Sequence, residues 1–214
     1  MCGVIGYWGK EKLDPEVFTK QARLLNRRGP DNLGIWSDHE DCLILGHLRL
    51  SIIDLSNNGN QPMQSSSSRY VITYNGEIYN FLDLKKELIA LNPQIKFNSA
   101  SDTEILLNCI EVFGLKDALK KCKGMFALAI WDKKNKTLSI ARDRLGEKPL
   151  YFYQDSSKLF FASELKAFSF LDSDLKISKK GVDLFISQGN IPAPYSIYEN
   201  VFKVLPSEII TFSS

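Results

Sequence analysis

The sequence has few of the residues from which metal centres and disulfide frameworks are built. Its 214 residues include only four cysteines and two histidines. The cysteines lie far apart, which indicates neither a zinc-binding pair nor a dense set of disulfides. With two histidines a metal cluster is hard to assemble, and most forms of Cys-His catalysis are also disfavoured.

Long apolar runs and a strong excess of charge are also lacking. The 27 basic and 25 acidic residues give a formal net charge of +2 and are spread along the chain. There is no concentrated basic stripe, so nucleic acid is not an expected partner. No apolar run approaches the length of a bilayer span, and residues 1–12 lack a signal-peptide pattern. We therefore expect one globular domain, without membrane association, in the cytoplasm.

The distribution of apolar residues predicts an α+β fold. Short apolar runs bounded by turn residues predict strands at residues 4–8, 43–50, 70–74, 125–131, 137–141, 150–153 and 159–162. Helical spacing follows Asn80, and again follows Ser101, where Glu104 completes a capping-box signature. A loop is predicted at 28–34 and short helices at 163–168 and 178–187. This order favours antiparallel sheets packed with helices over a doubly wound parallel sheet.

The first candidate for chemistry is Cys2. A small residue after the initiator Met1 permits removal of that methionine, which leaves a thiol and a free α-amine on one residue. The α-amine has an ordinary pKa of roughly 7.7 to 8.0, so near neutral pH it can take the thiol proton without a histidine. The alternative is that Cys2 is only a small buried residue of the first strand.

Arg49 lies within the otherwise apolar segment 47–54. A buried guanidinium is costly without a partner, and its planar fork suits bidentate pairing with the carboxylate of a ligand. The alternative is an internal ion pair with an acidic side chain of the protein.

Two polar segments next to secondary structure complete the candidates. Asn75-Gly76 predicts either a tight hairpin turn or an oxyanion hole made by the Asn75 amide and the Gly76 backbone N–H. Asp102 lies at the start of a predicted helix. It either stabilises that helix start electrostatically or binds the α-ammonium of an amino-acid ligand.

In chain order, these segments resemble a known family. RRGPDNLG, HLRLSIIDL, NGEIYN, SDTE, GMFALAIWD, ARDRLGEKPLYF and FASELKAF are similar to the glutaminase domain of asparagine synthetase-type enzymes, within the class II glutamine amidotransferases. The resemblance extends from Cys2 to the last residues. One departure is Arg27, where the family has histidine before Arg-Gly-Pro-Asp; that loop is expected to shape or cover the substrate pocket.

The resemblance implies a fold and a set of residue roles. The fold is the N-terminal-nucleophile αββα sandwich, four layers with two antiparallel sheets. Cys2 is the nucleophile and its own α-amine the base, while Asn75 and Gly76 form the oxyanion hole. Substrate binding is assigned to Arg49 for the α-carboxylate, aided by the backbone of Leu50, Ser51, Ile52 and Ile53, and to Glu77 and Asp102 for the α-ammonium.

The implied reaction is hydrolysis of glutamine to glutamate and ammonia through a γ-glutamyl thioester on Cys2, without a cofactor. Residues 125–128 are a candidate lining for the ammonia exit. The ammonia would serve an ATP- and Mg-dependent synthetase domain that amidates aspartate or a related carboxylate. Residues 2–190 are assigned to the glutaminase domain and 191–214 to the start of the connection.

No phosphate-binding glycine-rich loop and no Ser-Gly-Gly-x-Asp-Ser segment occur in this sequence, so we expect either a part of a longer protein that carries the synthetase domain or an isolated domain. The resemblance leaves a homodimer open. Two alternatives are an N-terminal-nucleophile hydrolase of other amides, and a non-catalytic domain of the same fold.

Overall fold

A computed structural model describes residues 1–171 and 175–213. Residue 214, the last of the predicted connection, lies outside the described residues. The strands are β1 (Gly3–Gly9), β2 (Asn32–Asp38), β3 (Leu43–Arg49), β4 (Met63–Gln64), β5 (Tyr70–Ile78), β6 (Gly124–Asp132), β7 (Thr137–Arg142), β8 (Tyr151–Gln154), β9 (Lys158–Ala162), β10 (Val201–Lys203) and β11 (Ile209–Ser213). The α-helices are α1 (Pro15–Arg23), α2 (Phe81–Leu91), α3 (Asp102–Phe113), α4 (Leu115–Lys121) and α5 (Lys179–Gln188). Short 3₁₀ helices cover Asn57–Gly59 and Leu165–Leu171.

The strands form two sheets. The first has the order β10-β8-β9-β1-β3-β2, and the second has the order β11-β7-β6-β5-β4. Every neighbouring pair in both sheets is antiparallel. The predicted arrangement of antiparallel sheets is therefore confirmed.

Three apolar cores separate four layers. One lies between the two sheets and includes Val4, Leu45 and Trp131. A second lies where α1 and the Leu165–Leu171 helix pack on the first sheet. The third lies between the second sheet and the helices α2, α3 and α4. Strand β6 is buried on both faces, because its alternate residues face the helices and the other sheet. Residues 125–131 are therefore all apolar, rather than alternating between apolar and polar. The αββα sandwich is confirmed.

Most predicted elements are found, with a few differences. Helix α3 begins as predicted, with the Ser101 hydroxyl accepting the Glu104 N–H at 3.3 Å. The Glu104 carboxylate instead accepts the N–H groups of Asn98 and Ser99, so the capping box is only half formed. The predicted helix at 163–168 is a 3₁₀ helix that starts two residues later.

The sequence prediction was wrong about part of one loop and missed two helices. The predicted loop at 28–34 ends early, because residues from Asn32 onward join β2 and pair with β3 at the sheet edge. An edge strand pairs through its backbone, so its half-buried side chains carry a weak apolar pattern. Helices α1 and α4 were not predicted, although Asp14 caps α1 and Pro15 begins it.

The last part of the described chain is built into both sheets. Strand β10 pairs with β8, and β11 pairs with β7. Within the described ranges, no helix combines the length and the apolarity needed to cross a membrane.

Two hydrogen bonds join the sheets where the last part of β3 crosses the middle of β5. The Thr73 hydroxyl donates to the Gly46 carbonyl at 3.0 Å, and His47 Nε2 is 3.0 Å from the Tyr74 carbonyl oxygen. These cross-sheet bonds bring the last residues of β3 beside the second half of β5. The candidate site lies at this junction.

Candidate active site

The predicted site residues surround one cavity of about 150 Å³. They reach it from the chain start, the end of β3, the second half of β5 and the start of α3. Nine of the ten predicted residues line it: Cys2, Arg49, Leu50, Ile52, Ile53, Asn75, Gly76, Glu77 and Asp102. The tenth, Ser51, is not among the lining residues; its N–H donates to the Asp31 carboxylate at 2.7 Å. That bond ties the loop after β3 to the Arg-Gly-Pro-Asp segment.

The Cys2 thiol is partly buried beside the backbone of Leu50. The Leu50 N–H donates to Sγ at 3.3 Å, and Sγ lies 3.7 Å from the Leu50 carbonyl oxygen. Burial raises the pKa of the thiol, opposed by the Leu50 N–H, the amino terminus and the cations Arg49 and Arg28. Arg28 also holds the Cys2 carbonyl oxygen at 2.8 Å through Nε. A thiol with a raised pKa needs a base to react near neutral pH.

Arg49 is buried, and its guanidinium is held by neutral groups. Nη1 donates to the Ser56 carbonyl at 2.7 Å and to Asn60 Oδ1 at 2.8 Å, while Nη2 donates to the Asp54 carbonyl. None of the ion pairs found among the described residues involves Arg49. The predicted alternative of an internal ion pair is therefore not supported. A buried cation with no ion pair in this part of the chain could accept an anion from the cavity that it lines.

Asp54 and Gly59 explain why neutral oxygens, rather than a carboxylate, surround the Arg49 guanidinium. The Asp54 carboxylate accepts the N–H groups of Ser56 and Ala100, at 2.7 and 2.9 Å, instead of the guanidinium. Gly59 leaves room for the fork, because a Cβ there would lie 2.3 Å from Arg49 Nη2. The 54–60 segment is thus shaped around the guanidinium.

Asn75 and Gly76 lie inside β5, so the alternative of a tight hairpin turn is wrong. They pair with Ala127 and Phe126 of β6. Asn75 is buried, and its Nδ2 has no hydrogen-bond partner among the described residues. At Gly76 any side chain is excluded, because a Cβ would lie 2.3 Å from the Met125 carbonyl oxygen. An unpartnered buried amide donor facing a cavity is costly unless a ligand accepts from it.

Asp102 and Glu77 provide negative charge on the same side of the cavity. Burial raises the pKa of Asp102, and the nearby Glu77 charge acts in the same direction. The Ile78 N–H, the Tyr74 hydroxyl and the Thr103 N–H act the other way by stabilising the carboxylate. A cation placed between these two carboxylates would relieve their repulsion.

His47 is a buried, neutral imidazole between the two sheets. Burial lowers its pKa to about 4, so Nε2 carries the proton that is donated to the Tyr74 carbonyl. Nδ1 is then an unprotonated acceptor, and it has no partner among the described residues. His47 lines the cavity, a position that was not predicted from the sequence.

The lowered pKa of His47 predicts a pH-dependent stability. The unfolded chain binds a proton on His47 below about pH 6.5, and the folded chain does so only near pH 4. His47 therefore makes the free energy of unfolding fall by about 3 kcal/mol as the pH drops from 7 to 4. His47→Gln keeps a donor for Tyr74 but does not titrate. Urea denaturation across this range should give a steeper decline for the wild type than for the variant; parallel declines would contradict the prediction.

Several cavity residues were not predicted from the sequence. Lys148 is buried, lines the cavity and donates to Met1 Sδ at 3.3 Å. Tyr74 and Gln61 line it as well. Lys148 lies within the ARDRLGEKPLYF segment, where a buried lysine gives no periodic signal. Tyr74 lies in a predicted strand, where its side chain suggests only core packing, and Gln61 lies outside every predicted element.

The candidate ammonia-exit residues 125–128 divide into two groups. Met125 lines the cavity, whereas Phe126 and Leu128 pack under the helices and Ala127 packs between the sheets. Core packing accounts for those last three residues. Across residues 1–171 and 175–213, no group of three or more His, Cys, Asp and Glu side chains is arranged to hold a metal ion.

The fold and site define a class, an αββα sandwich with a cysteine near the chain start in its pocket, and comparisons with known proteins agree with this fold. A family model described as a glutamine amidotransferase domain matches residues 1–214. The glutamine phosphoribosylpyrophosphate amidotransferase of B. subtilis shares the fold with a TM-score of 0.66, at 24% identity, over 80% of this chain and 44% of that chain. This chain belongs to the glutamine amidotransferase family.

Among curated relatives, the chain is similar to glutamine-hydrolysing asparagine synthetases. It is 36% identical to a putative asparagine synthetase of Methanocaldococcus jannaschii, over 99% of this chain and 44% of the relative. It is 38% identical to asparagine synthetase 1 of Bacillus subtilis, over 99% of this chain and 33% of the relative. The chain therefore spans less than half the length of these relatives and matches their glutaminase part.

Proposed function

We propose that this chain hydrolyses glutamine to glutamate and ammonia, with Cys2 as nucleophile. The observation that carries the proposal is the composition of one cavity. It brings together a thiol, a pair of carboxylates, a guanidinium that has no ion-pair partner in the described part of the chain, and an amide donor that has no hydrogen-bond partner there. These groups match, in number and charge, the amide, carboxylate and ammonium of one glutamine molecule.

In the proposed reaction, removal of Met1 first frees the α-amine of Cys2. The amine takes the thiol proton, and the sulfur attacks the side-chain amide carbon of glutamine. The Asn75 amide and the Gly76 N–H stabilise the tetrahedral oxyanion. The C–N bond then breaks, and the amine returns the proton to the departing ammonia. Water attacks the γ-glutamyl thioester and releases glutamate and the free thiol.

The remaining residues hold the α-substituents of glutamine. Arg49 binds the α-carboxylate, together with backbone groups of residues 50–53, because it lines the cavity and no ion pair among the described residues neutralises its charge. Asp102 and Glu77 bind the α-ammonium. When both substituents of the α-carbon are held in this way, the side-chain amide of glutamine is left for Cys2 and Asn75, which line the same cavity.

For the protein as a whole, we propose that the ammonia is used for ATP- and Mg-dependent amidation of aspartate or a related carboxylate by a synthetase domain outside this chain. The names and lengths of the relatives support this proposal. We also keep 2–190 as the glutaminase domain and 191–214 as the start of the connection. In that arrangement, β10 and β11 anchor the connection to both sheets.

The test of the proposed function is direct. The protein with a free Cys2 amine is incubated with glutamine, and glutamate and ammonia are measured over time. Equal amounts of both products support the proposal. Turnover of simple acyl-amides without turnover of glutamine would instead indicate an amide hydrolase with another substrate.

Arg49→Met should lower kcat/KM for glutamine on the order of 100-fold, because the carboxylate loses its charged, bidentate partner. The compound 4-aminobutanamide is glutamine without the α-carboxylate, so its hydrolysis should be nearly unchanged in the variant. Both kcat/KM values are measured by ammonia release.

The matched control is Arg69→Met, because Arg69 pairs with Asp132 outside the cavity. Circular dichroism confirms that each variant folds. An equal loss for glutamine and 4-aminobutanamide would show that Arg49 supports the fold of the pocket rather than carboxylate binding.

A further inference from the structure

Tyr74 is a buried tyrosine whose side chain reaches from the second sheet to the start of α3. It lies on β5, directly before Asn75, and only 2% of its surface is exposed. Its hydroxyl donates to Asp102 Oδ2 at 2.7 Å. The same carboxylate oxygen accepts the Ile78 N–H at 2.9 Å. One oxygen of Asp102 is therefore held by two donors, both from β5.

The backbone of Tyr74 is also held, by two side chains. Its N–H donates to Gln61 Oε1 at 2.7 Å, and its carbonyl accepts from His47 Nε2 at 3.0 Å. Strand β4 has already ended at this level of β5, so these side chains replace the missing neighbouring strand. Gln61 continues to α3, where its Nε2 donates to the Thr103 hydroxyl at 3.1 Å.

Tyr74 thus joins three parts of the cavity wall. Its carbonyl is bonded to β3, two residues before Arg49. Its hydroxyl is bonded to Asp102, and its peptide bond leads to Asn75. Successive side chains of a strand point to opposite faces, so Tyr74 packs among the helix-facing core while Asn75 faces the other way. The hydroxyl contact is not needed for packing an apolar core, because phenylalanine would fill nearly the same volume and keep the backbone contacts.

We propose that Tyr74 is a positioning residue, which holds Asp102 ionised and correctly rotated for the α-ammonium of glutamine. This inference rests on the proposed function. The Asp102 carboxylate is buried near the negative charge of Glu77, so each donor to it favours the ionised form. Without the hydroxyl, the donors to Asp102 from the described chain are the backbone N–H groups of Ile78 and Thr103, and both the charge of the carboxylate and its orientation toward the cavity are weakened.

Tyr74→Phe removes the hydroxyl and keeps the ring. We expect the KM for glutamine to rise about tenfold with kcat within about twofold, since the lost bond was made to a charged group that binds substrate. Tyr153→Phe is the matched control. Tyr153 is also buried and donates to a carboxylate, Asp155 Oδ2 at 2.9 Å, but it does not line the cavity. The control should leave both constants unchanged.

A substrate analogue separates positioning from general damage to the pocket. Glutaramate is glutamine without the α-amino group, and its inhibition constant against glutamine hydrolysis should be nearly equal in wild type and Tyr74→Phe. A double variant with Asp102→Asn gives a second measurement. Tyr74→Phe should add little to the loss already caused by Asp102→Asn, because both changes remove the same interaction.

The outcomes distinguish this inference from the proposed function. A wild-type protein that does not hydrolyse glutamine would refute the proposed function and, with it, the role of Tyr74. If the wild type is active, an unchanged KM in Tyr74→Phe would overturn the role of Tyr74 alone. The role of Tyr74 would also be overturned if Tyr74→Phe weakened the binding of glutamine and glutaramate equally, or if it lowered kcat alone.

Discussion

Replacement of Cys2 by alanine is expected to reduce glutamine hydrolysis on the order of 10⁴-fold or more, because the thioester cannot form. Alanine is small, so removal of Met1 and the fold of β1 should be unaffected. Ammonia and glutamate release under saturating glutamine measures the effect. Cys42→Ala is the matched control, since Cys42 is a half-buried cysteine outside the cavity and should be dispensable.

If the α-amine of Cys2 is the base, glutamine hydrolysis should also be lost when that amine is blocked. Extra residues placed before Cys2, with no means of removal, convert its α-amine into an amide nitrogen that is not basic. The thiol is intact in this protein, but its pKa is raised by burial, so it should stay protonated and inactive. A glutamine-mimicking electrophile should modify Cys2 in the mature chain, as seen by mass spectrometry, and not in the extended one. Normal turnover by the extended chain would rule out the α-amine as base.

Asn75→Ala is expected to lower kcat by a factor on the order of 10² to 10³, with a small change in KM, because the oxyanion forms only in the transition state. Nδ2 has no partner among residues 1–171 and 175–213, so alanine removes no hydrogen bond of that group to this part of the chain. The free energy of unfolding should therefore be equal to that of the wild type or higher.

Kinetics combined with urea denaturation check both parts of the Asn75 prediction. Asn108→Ala is the control, because the Asn108 amide donates to the Glu104 carbonyl at 2.8 Å, away from the cavity. That control should lose some stability and keep full activity. If Asn75→Ala is less stable and still fully active, Asn75 is a structural residue and the oxyanion hole is elsewhere.

Local sequence patterns predicted the elements whose signals lie within a few residues. Strands β6 and β7 were predicted from two short apolar runs, and α3 from its Ser101 cap. Asn75-Gly76 shows the limit of such patterns. The dipeptide commonly forms a turn, and β5 continues through it only because β6 pairs with it as far as Ile78 and Gly124. That partner strand lies about fifty residues away.

The partner of Arg49 could not be predicted from the sequence for a similar reason. A buried arginine needs acceptors, but the sequence does not show whether a protein carboxylate or a ligand provides the opposite charge. The structure answers only the first part: no ion pair of Arg49 is found among the described residues, because carbonyl groups of the 54–60 segment accept from the guanidinium while the Asp54 carboxylate bonds to backbone N–H groups. This arrangement is a property of that loop.

By itself, the sequence determined the α+β class, the nucleophile candidate at Cys2 and the residue types of the site, because these follow from local periodicity and from the chemistry of single side chains. Only the tertiary structure decided which groups share the cavity and which donors hold them. The bond between Tyr74 and Asp102 depends on α3 packing across β5, and that between His47 and Tyr74 on contact between the sheets. Contacts of this kind come from the burial of three apolar cores, a property of the whole chain that no short segment encodes.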